Sequence, residues 1–475
     1  MGLGSVDSRN TKSLQVADAI HVKALRPYNA WTFLWIMFSM NTCIPLFLLG
    51  PTALNLGLSP EQALVGSLLG ATATALVMIL NGVPGVKYGV PYPVQLKPSW
   101  GAKGSHIAVV LRGIVGAGWY GIEAYCGSLA AMMILLYVVG YAGRRPEVIA
   151  TAAYNYLPLL LVAYVIAAAY VTYGGLKAIG RLANIAGPVM VLYFIWLLAY
   201  LRGIGTGAEP PTGVSYFSPE FATYLAVQTN FWATVALNIS DLSRGLPPGR
   251  KGYKALVLGA LGGIVVGQVA GTMLGYYLAL YAGHVTPQEI ILYTAPGSIA
   301  VLLGQLFALL APFSTDVTAN IPALNNILTA TFKLRPRHAA IVCGLIGFLL
   351  APWWAARSGP GIVYYVTAFC ANYGVILGPI AGIMLADYYI VKKMNYDLRG
   401  ANDGESNGYW CRKGFSLNAI LSFTASVILC YTVSIATGTL VWTGPIPWPT
   451  PLSWYLGVAT AFALYTILAR ILREH

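Results

Sequence analysis

The sequence predicts an all-α integral membrane protein that crosses the bilayer twelve times. Three observations lead there. Of the 475 residues, 57% are hydrophobic and only 9% are charged, whereas a soluble domain carries about 25% charged residues. Apolar stretches of about 20 residues, the length that crosses the hydrocarbon core, recur along the chain. The lysines and arginines fall between these stretches.

Twelve spans are expected, at roughly 29–55, 60–84, 105–138, 150–173, 182–204, 219–242, 254–282, 298–331, 339–356, 360–390, 415–437 and 450–471. Several are longer than a bilayer needs, which predicts tilts or breaks. Residues 1–26 are polar and have no apolar centre, so they read as a cytoplasmic tail rather than a cleaved leader. The net charge of +13 raises the question of nucleic acid, but the charges sit in loops, as membrane topology requires. With a cytoplasmic N-terminus, all Lys and Arg face the cytoplasm except Arg112, near the inner start of span 3, and Arg144, Arg145, Arg202 and Arg357 of the outer loops. That asymmetry is the positive-inside pattern. It supports an even number of spans, both termini in the cytoplasm and a place in the plasma membrane, with the lipid bilayer as partner and no nucleic acid.

Span 1 contains the interruption Ser39-Met40-Asn41-Thr42-Cys43-Ile44-Pro45. Span 6, in the stretch FATYLAVQTNFWATVALNISDLSR at 221–244, holds Gln228, Thr229 and Asn230 side by side within an apolar run, with Phe231 and Trp232 next. In hydrocarbon every polar group needs a partner, so three adjacent polar residues predict either a helix that breaks there and lines a cavity or a polar kink packed against neighbours. Two interrupted segments at matching places in two halves point to a transporter site. Spans 1–5 (residues 27–204) and 6–10 (205–394) then read as two repeats. Five is odd, so the second enters the membrane inverted. Residues 395–475 add spans 11 and 12 and a cytoplasmic C-terminus.

Charged residues at membrane depth are few, and each is a candidate for function. Asp241 and Asp387 lie at cytoplasmic helix ends, where Arg244 and Lys392 or Lys393 suit a structural or gating pair. Glu123 is deeper, in Trp119-Tyr120-Gly121-Ile122-Glu123, where Trp119 and Glu123 share a helix face. A ring that stacks beside a carboxyl that accepts N–H groups suits a flat, hydrogen-bonding ligand. The other reading is a buried Glu bonded to a neighbouring helix. Asp316 lies in APFSTDVTANIP, with Asn320 on the same face. Hydroxyls and carbonyls there suit a hard cation such as sodium; the other reading is Ser/Thr back-bonding within a polar helix seam.

Enzyme chemistry finds little to work with. His21, His106, His284, His338 and His475 fall in loops or termini, and no phosphate-binding glycine loop or HExxH motif occurs. The six cysteines Cys43, Cys126, Cys343, Cys370, Cys411 and Cys430 are scattered, without CxxC spacing, so neither a metal site nor a disulfide framework is expected.

The stretches LRGIVGAGWYGIEAYCGS, FWATVALNISDLSR, STDVTANIP and GPIAGIMLADYYIVKK together resemble the nucleobase-cation-symport-1 family, the carriers of nucleobases, hydantoins and allantoin. VPYPVQLKPSWGAKG resembles the family's loop before span 3. The resemblance implies a LeuT-like five-plus-five inverted repeat with discontinuous helices 1 and 6. It implies that Trp119 and Trp232 sandwich the substrate ring, with Phe231 beside them, and that Glu123 and Asn320 read its amide edge. It implies a sodium site formed by Ala311, Ser314 and Thr315 with backbone carbonyls near the span 1 break, here Met40 and Cys43. Two departures stand out. GIEAY replaces GIQTW-like text, which gives Glu123 an extra acceptor or a proton. Asp316 adds a carboxyl beside the ion site, which leaves a proton as the alternative coupling ion.

The reading is a monomeric secondary-active symporter, without a cofactor. It imports a nucleobase or related cyclic ureide, of uracil, hydantoin or allantoin type, coupled to sodium or protons by alternating access. The alternatives are an amino-acid symporter of the same architecture, and a channel or membrane-embedded enzyme.

Overall fold

The structure, a computed structural model, describes residues 26–140, 146–204, 208–283, 299–351, 361–398, 411–439, 441–442, 447–448 and 452–472. The N-terminal tail up to residue 25 and the loop residues Arg144, Arg145 and Arg357 lie outside the described residues. Among the described residues eight helices are long and apolar enough to cross a membrane, and nine when the bent pair Ala30–Asn41 and Ile44–Asn55 counts as one span. The three other expected spans are helical but shorter or interrupted. They are span 6, Pro219–Asn238 with Ser240–Ser243; span 8, from Ile299–Thr315 through Ile327–Thr331; and span 9, Pro336–Leu350.

Span 1 is broken where the sequence expects it. Asn29 caps the first half by accepting from the Thr32 N–H at 2.8 Å. The helix stops at Asn41 and restarts at Ile44, with a bend of 62°. Pro45 sits in the first turn of the second half. It supplies no N–H to the preceding turn, so a continuous ladder cannot run through it. Span 2, Pro60–Tyr88, opens on a Ser59–Gln62 capping box and closes on Gly89 in the left-handed region. The short helices Tyr92–Gln95 and Lys97–Trp100 lead into span 3, Ser105–Val138. Spans 4 and 5 are Pro146–Tyr173 and Gly175–Ile204, and span 7 is Arg250–Ala282. Span 10 is Gly361–Asn372 followed, after Tyr373, by Gly374–Val391. Spans 11 and 12, Leu417–Ala436 and Ser453–Leu472, are linked through a two-residue antiparallel strand pair, Val441–Trp442 with Pro447–Trp448.

Of the two readings of the span 6 triplet, the structure takes the second, polar residues packed against neighbouring helices. The chain stays α-helical through Gln228, Thr229 and Asn230 and turns only at Ile239. The carbonyls of the polar triplet take donors sideways, and the ladder does not break. The Gln228 carbonyl accepts from Gln268 Nε2 at 2.7 Å and the Thr229 carbonyl from Thr74 Oγ1 at 2.7 Å. The Asn230 carbonyl accepts from the Tyr373 hydroxyl. Three successive carbonyls thus take donors from spans 7, 2 and 10. The Gln228 side chain accepts from Gln268, and the Asn230 amide lies against Gly374 of span 10. The triplet therefore faces neighbouring helices.

Spans 1, 2, 6 and 7 pack on one another, as do spans 3, 4, 8 and 9. Span 5 touches both groups, and spans 11 and 12 pack on span 10. Spans 2 and 6 approach closely because Gly70 has no side chain. A Cβ there would lie 2.6 Å from Gln228 Cβ and 2.9 Å from the Thr229 nitrogen. Leu68, Leu76, Ile166, Ile185, Leu192 and Ile428 point outward and exposed, an apolar rim suited to hydrocarbon rather than water.

Candidate functional site

Between spans 3, 6 and 8 lies a small cavity lined by Trp119, Glu123, Phe231, Trp232, Thr234, Thr315 and Asn320. Its volume is about 10 Å3, room for roughly one water. All five residues expected to meet a substrate line it. Trp119 and Glu123 do so because four residues of helix put them on one face of span 3. Phe231 sits about one turn before Thr234 on span 6, with Trp232 next to it.

The aromatic rings close on one another edge to face. Phe231 lies 5.0 Å from Trp119 at 71° and 5.3 Å from Trp232 at 82°, and Phe369 lies 5.5 Å from Trp119 at 74°. Edge-to-face pairs satisfy the ring quadrupoles without a stacked partner. Both indole N–H groups are engaged. Trp119 Nε1 donates to the Tyr373 hydroxyl at 3.3 Å, and that hydroxyl donates to the Asn230 carbonyl. Trp232 Nε1 donates to Asn41 Oδ1. The Asn41 amide in turn donates to the carbonyls of Gly263 at 3.1 Å and Ile264 at 2.6 Å. These carbonyls belong to a π-helical turn of span 7, Gly259–Val265.

The polar wall is acceptor-rich. Glu123 is 1% exposed. The Cys43 thiol lies near its carboxyl, and Oε2 has no partner among the described residues. Asn320 donates its amide to Asp316 Oδ1 at 2.9 Å, and Asp316 Oδ2 accepts from the Tyr164 hydroxyl at 3.0 Å. With its N–H held by Asp316, Asn320 has its carbonyl oxygen left for a ligand. Asp316 to Asn320 form a π-helical turn, a distortion frequent at functional sites.

A second cluster adjoins the first through Thr315. Thr315 Oγ1 donates to the Met40 carbonyl at 2.7 Å and to the Ala311 carbonyl at 3.0 Å. Ser314 Oγ donates to the Ser39 carbonyl at 2.8 Å and to Ala311 at 3.0 Å. Five neutral oxygens from spans 1 and 8 thus converge at the break of span 1. Of the two span 1 residues expected there, the structure brings Met40 and not Cys43. The Cys43 carbonyl accepts from the Leu46 N–H at 3.2 Å as the second half-helix begins, and its thiol faces Glu123. Ser39, one residue before Met40, takes the place.

Sequence reasoning did not find Thr234, Tyr373 or the clasp role of Asn41. The signal for Asn41 was present in its polar interruption. Tyr373 carried a weaker one, the Asn372-Tyr373-Gly374 step inside an apolar span.

Comparison with known proteins gives a consistent set. The profile of a family described as permeases for cytosine/purines, uracil, thiamine and allantoin matches residues 23–449. The purine-uracil permease NCS1 of Arabidopsis thaliana is 27% identical over 428 residues, covering 84% of this chain and 68% of that protein. The allantoin permease of Bacillus subtilis (strain 168) is 25% identical over 459 residues, covering 94% and 91%. Among solved structures, Mhp1, a nucleobase-cation-symport-1 family transporter in a closed conformation with bromovinylhydantoin bound, superposes with a TM-score of 0.77 at 20% identity, over 95% of this chain and 94% of that one. A sodium-coupled sialic acid symporter superposes with a TM-score of 0.60 at 14% identity, over 96% and 92%. The fold is shared with both.

Proposed function

We propose a transport function from one premise: the chain belongs to the family of permeases for cytosine/purines, uracil, thiamine and allantoin, whose profile covers residues 23–449. It is a multi-pass membrane transporter, not an enzyme. Its substrate is a nucleobase or a related cyclic ureide, carried by secondary-active symport. The observation that carries this reading is the cavity itself. It joins two tryptophans, a buried carboxyl and an asparagine carbonyl directly to an oxygen cluster through Thr315.

The ring of the substrate lies between Trp119 and Trp232, which separate from Phe231 to admit it. Stacking of a flat heterocycle on an indole contributes about 1–3 kcal/mol. Glu123 and the Asn320 carbonyl accept N–H groups from the ring edge. The coupling cation sits among the Ser39, Met40 and Ala311 carbonyls and the Ser314 and Thr315 hydroxyls, a donor set suited to sodium. Carbonyls of an unwound helix serve such ions in transporters of this type. A cation there ties span 1 to span 8 and so favours the arrangement in which the substrate cavity is complete. A proton on Asp316 is the alternative coupling ion, since that carboxyl is hydrogen-bonded, among the described residues, to two neutral groups, Tyr164 and Asn320.

The two repeats are residues 27–204 and 205–394, inverted with respect to each other. The bundle of spans 1, 2, 6 and 7 moves against spans 3, 4, 8 and 9 to alternate access. Both termini are cytoplasmic, in the plasma membrane, and the transporting unit is a monomer.

Uptake into proteoliposomes tests this. Uracil, hydantoin, allantoin and adenine are offered under an inward sodium gradient, then under an inward proton gradient, then under neither. Gradient-dependent, saturable uptake of at least one is expected. Uptake of none, together with no thermal stabilisation by any of them, overturns the reading.

A further inference from the structure

Below the cavity, towards the start of span 3, three buried polar atoms have no partner among the described residues: Arg112 Nη1, the Tyr92 hydroxyl and Gln95 Oε1. The residues are 1%, 1% and 3% exposed. Their surroundings are otherwise well satisfied. Arg112 Nε donates to the Thr234 carbonyl at 2.6 Å and to Asn238 Oδ1 at 3.0 Å. Asp241 accepts from the Tyr92 N–H at 2.9 Å, from Asn238 Nδ2 at 3.0 Å and from Asn326 Nδ2 at 2.7 Å. Gln95 Nε2 donates to the Asn81 carbonyl at 3.0 Å, and Asn81 Nδ2 to the Ala236 carbonyl at 2.9 Å. Against this, an unmet guanidinium N–H is expensive, because burial costs a charged donor more than a neutral one. A residue kept only to hold helices together needs no such group.

The placement links these atoms to the substrate. Gly116 stands one turn from Arg112 and just before Trp119 on span 3. A Cβ there would lie 2.8 Å from Arg112 Nη1 and 3.5 Å from the Asn320 carbonyl. The free N–H is therefore beside Asn320, and Nε holds the backbone of Thr234; both residues line the cavity. Tyr92 and Arg112 meet through one chain of hydrogen bonds, from the Tyr92 N–H to Asp241, from Asn238 to Asp241 and from Arg112 to Asn238, and Tyr92 and Gln95, three apart, share one helix face. The set is one strong donor, one acceptor and one hydroxyl able to do either, which is the complement of a carbonyl beside a ring N–H.

We infer that Arg112, Tyr92 and Gln95 form a second substrate subsite on the cytoplasmic side of the cavity, occupied by the oxo-amide edge of the heterocycle as it leaves. The inference rests on the transport reading above and on its orientation. As span 6 moves away from spans 3 and 8, Arg112 loses the Thr234 carbonyl and Asn238. Its guanidinium then turns to the departing substrate oxygen, with Gln95 Oε1 accepting the adjacent N–H.

The test separates binding from passage. Wild-type protein, Tyr92→Phe, Arg112→Gln and Trp119→Ala are compared for equilibrium affinity by tryptophan fluorescence and for maximal uptake, with uracil and hydantoin as probes; melting temperature is read alongside. For Tyr92→Phe the expected result is affinity within about twofold, unchanged melting temperature and maximal uptake reduced roughly tenfold. Arg112→Gln should lose more uptake, with a lower melting temperature because it also gives up the bonds to Thr234 and Asn238, whereas Trp119→Ala loses affinity. Tyr92→Phe discriminates because its hydroxyl has no hydrogen-bond partner among the described residues to lose. Wild-type uptake in Tyr92→Phe overturns the subsite. If the wild-type protein neither binds nor takes up either probe, nor adenine or allantoin, the transport reading fails first.

Discussion

Trp232 donates its indole N–H to Asn41, so the aromatic wall of the cavity hangs on the residue that ends the first half of span 1. Asn41 also donates to two carbonyls in the π-helical turn of span 7. One amide thus fixes the positions of spans 1, 6 and 7 around the site. Asn41→Leu is expected to leave the Trp232 N–H and two buried carbonyls less well satisfied, at about 1–3 kcal/mol for each group left without any partner. Both melting temperature and substrate affinity should fall. A protein of normal stability and affinity would show that the amide is not a clasp.

Trp232→Ala removes one stacking face. The expected loss is about 1–3 kcal/mol, or roughly 5- to 150-fold in affinity, with expression little changed. Trp119→Ala should behave alike, while Tyr373→Phe, which frees the Trp119 N–H without removing its ring, should cost less. Isothermal titration with the preferred heterocycle gives the order. Unchanged binding in both tryptophan variants would remove the sandwich.

Thr315→Ala deletes the hydroxyl that meets the Met40 and Ala311 carbonyls. At saturating ion, substrate affinity should be near normal, but the sodium concentration needed to reach it should rise. The measurement is substrate affinity across a sodium series at fixed pH, then across a pH series without sodium. If wild-type affinity ignores sodium and follows pH, the oxygen cluster is not the coupling site and Asp316 takes that role.

The spans were legible because hydropathy acts over one helix at a time, and the charges mark its ends. Trp119 and Glu123 were legible for the same reason: a spacing of four is a local fact. The break of span 1 was written in Asn41 and Pro45. Span 6 shows where this stops. Gln228, Thr229 and Asn230 looked like a break, yet Gln268, Thr74 and Tyr373 reach their carbonyls from three other spans and the helix runs on. The presence of Ser39 rather than Cys43 in the oxygen cluster has the same cause. It depends on how the restarted helix captures the Cys43 carbonyl through Leu46, which no residue type announces.

Glu123 places a buried carboxyl in the cavity wall, and its substitutions decide what that carboxyl does. Its carboxyl lies buried in the cavity wall, with Oε2 unpartnered among the described residues and the Cys43 thiol close by. A structural carboxyl would be expected to have both oxygens engaged, as Asp316 does with Tyr164 and Asn320. An open oxygen facing the cavity fits a group that waits for a ligand N–H. If Glu123 accepts that N–H as a carboxylate, Glu123→Gln keeps one acceptor, so partial binding should survive and its dependence on pH should vanish. Glu123→Ala leaves the buried ligand donor unmet, at about 1–3 kcal/mol, and should bind worse than Glu123→Gln. Glu123→Gln keeps the side-chain volume, so its melting temperature without ligand should be close to wild type, while Glu123→Ala also empties buried space and should lose some stability. Melting temperature and ligand affinity are measured on the same three proteins across pH 5–8. A Glu123→Ala protein that is stable and binds at full strength would take Glu123 out of the site, and with it the reading of span 3 as the substrate's polar wall.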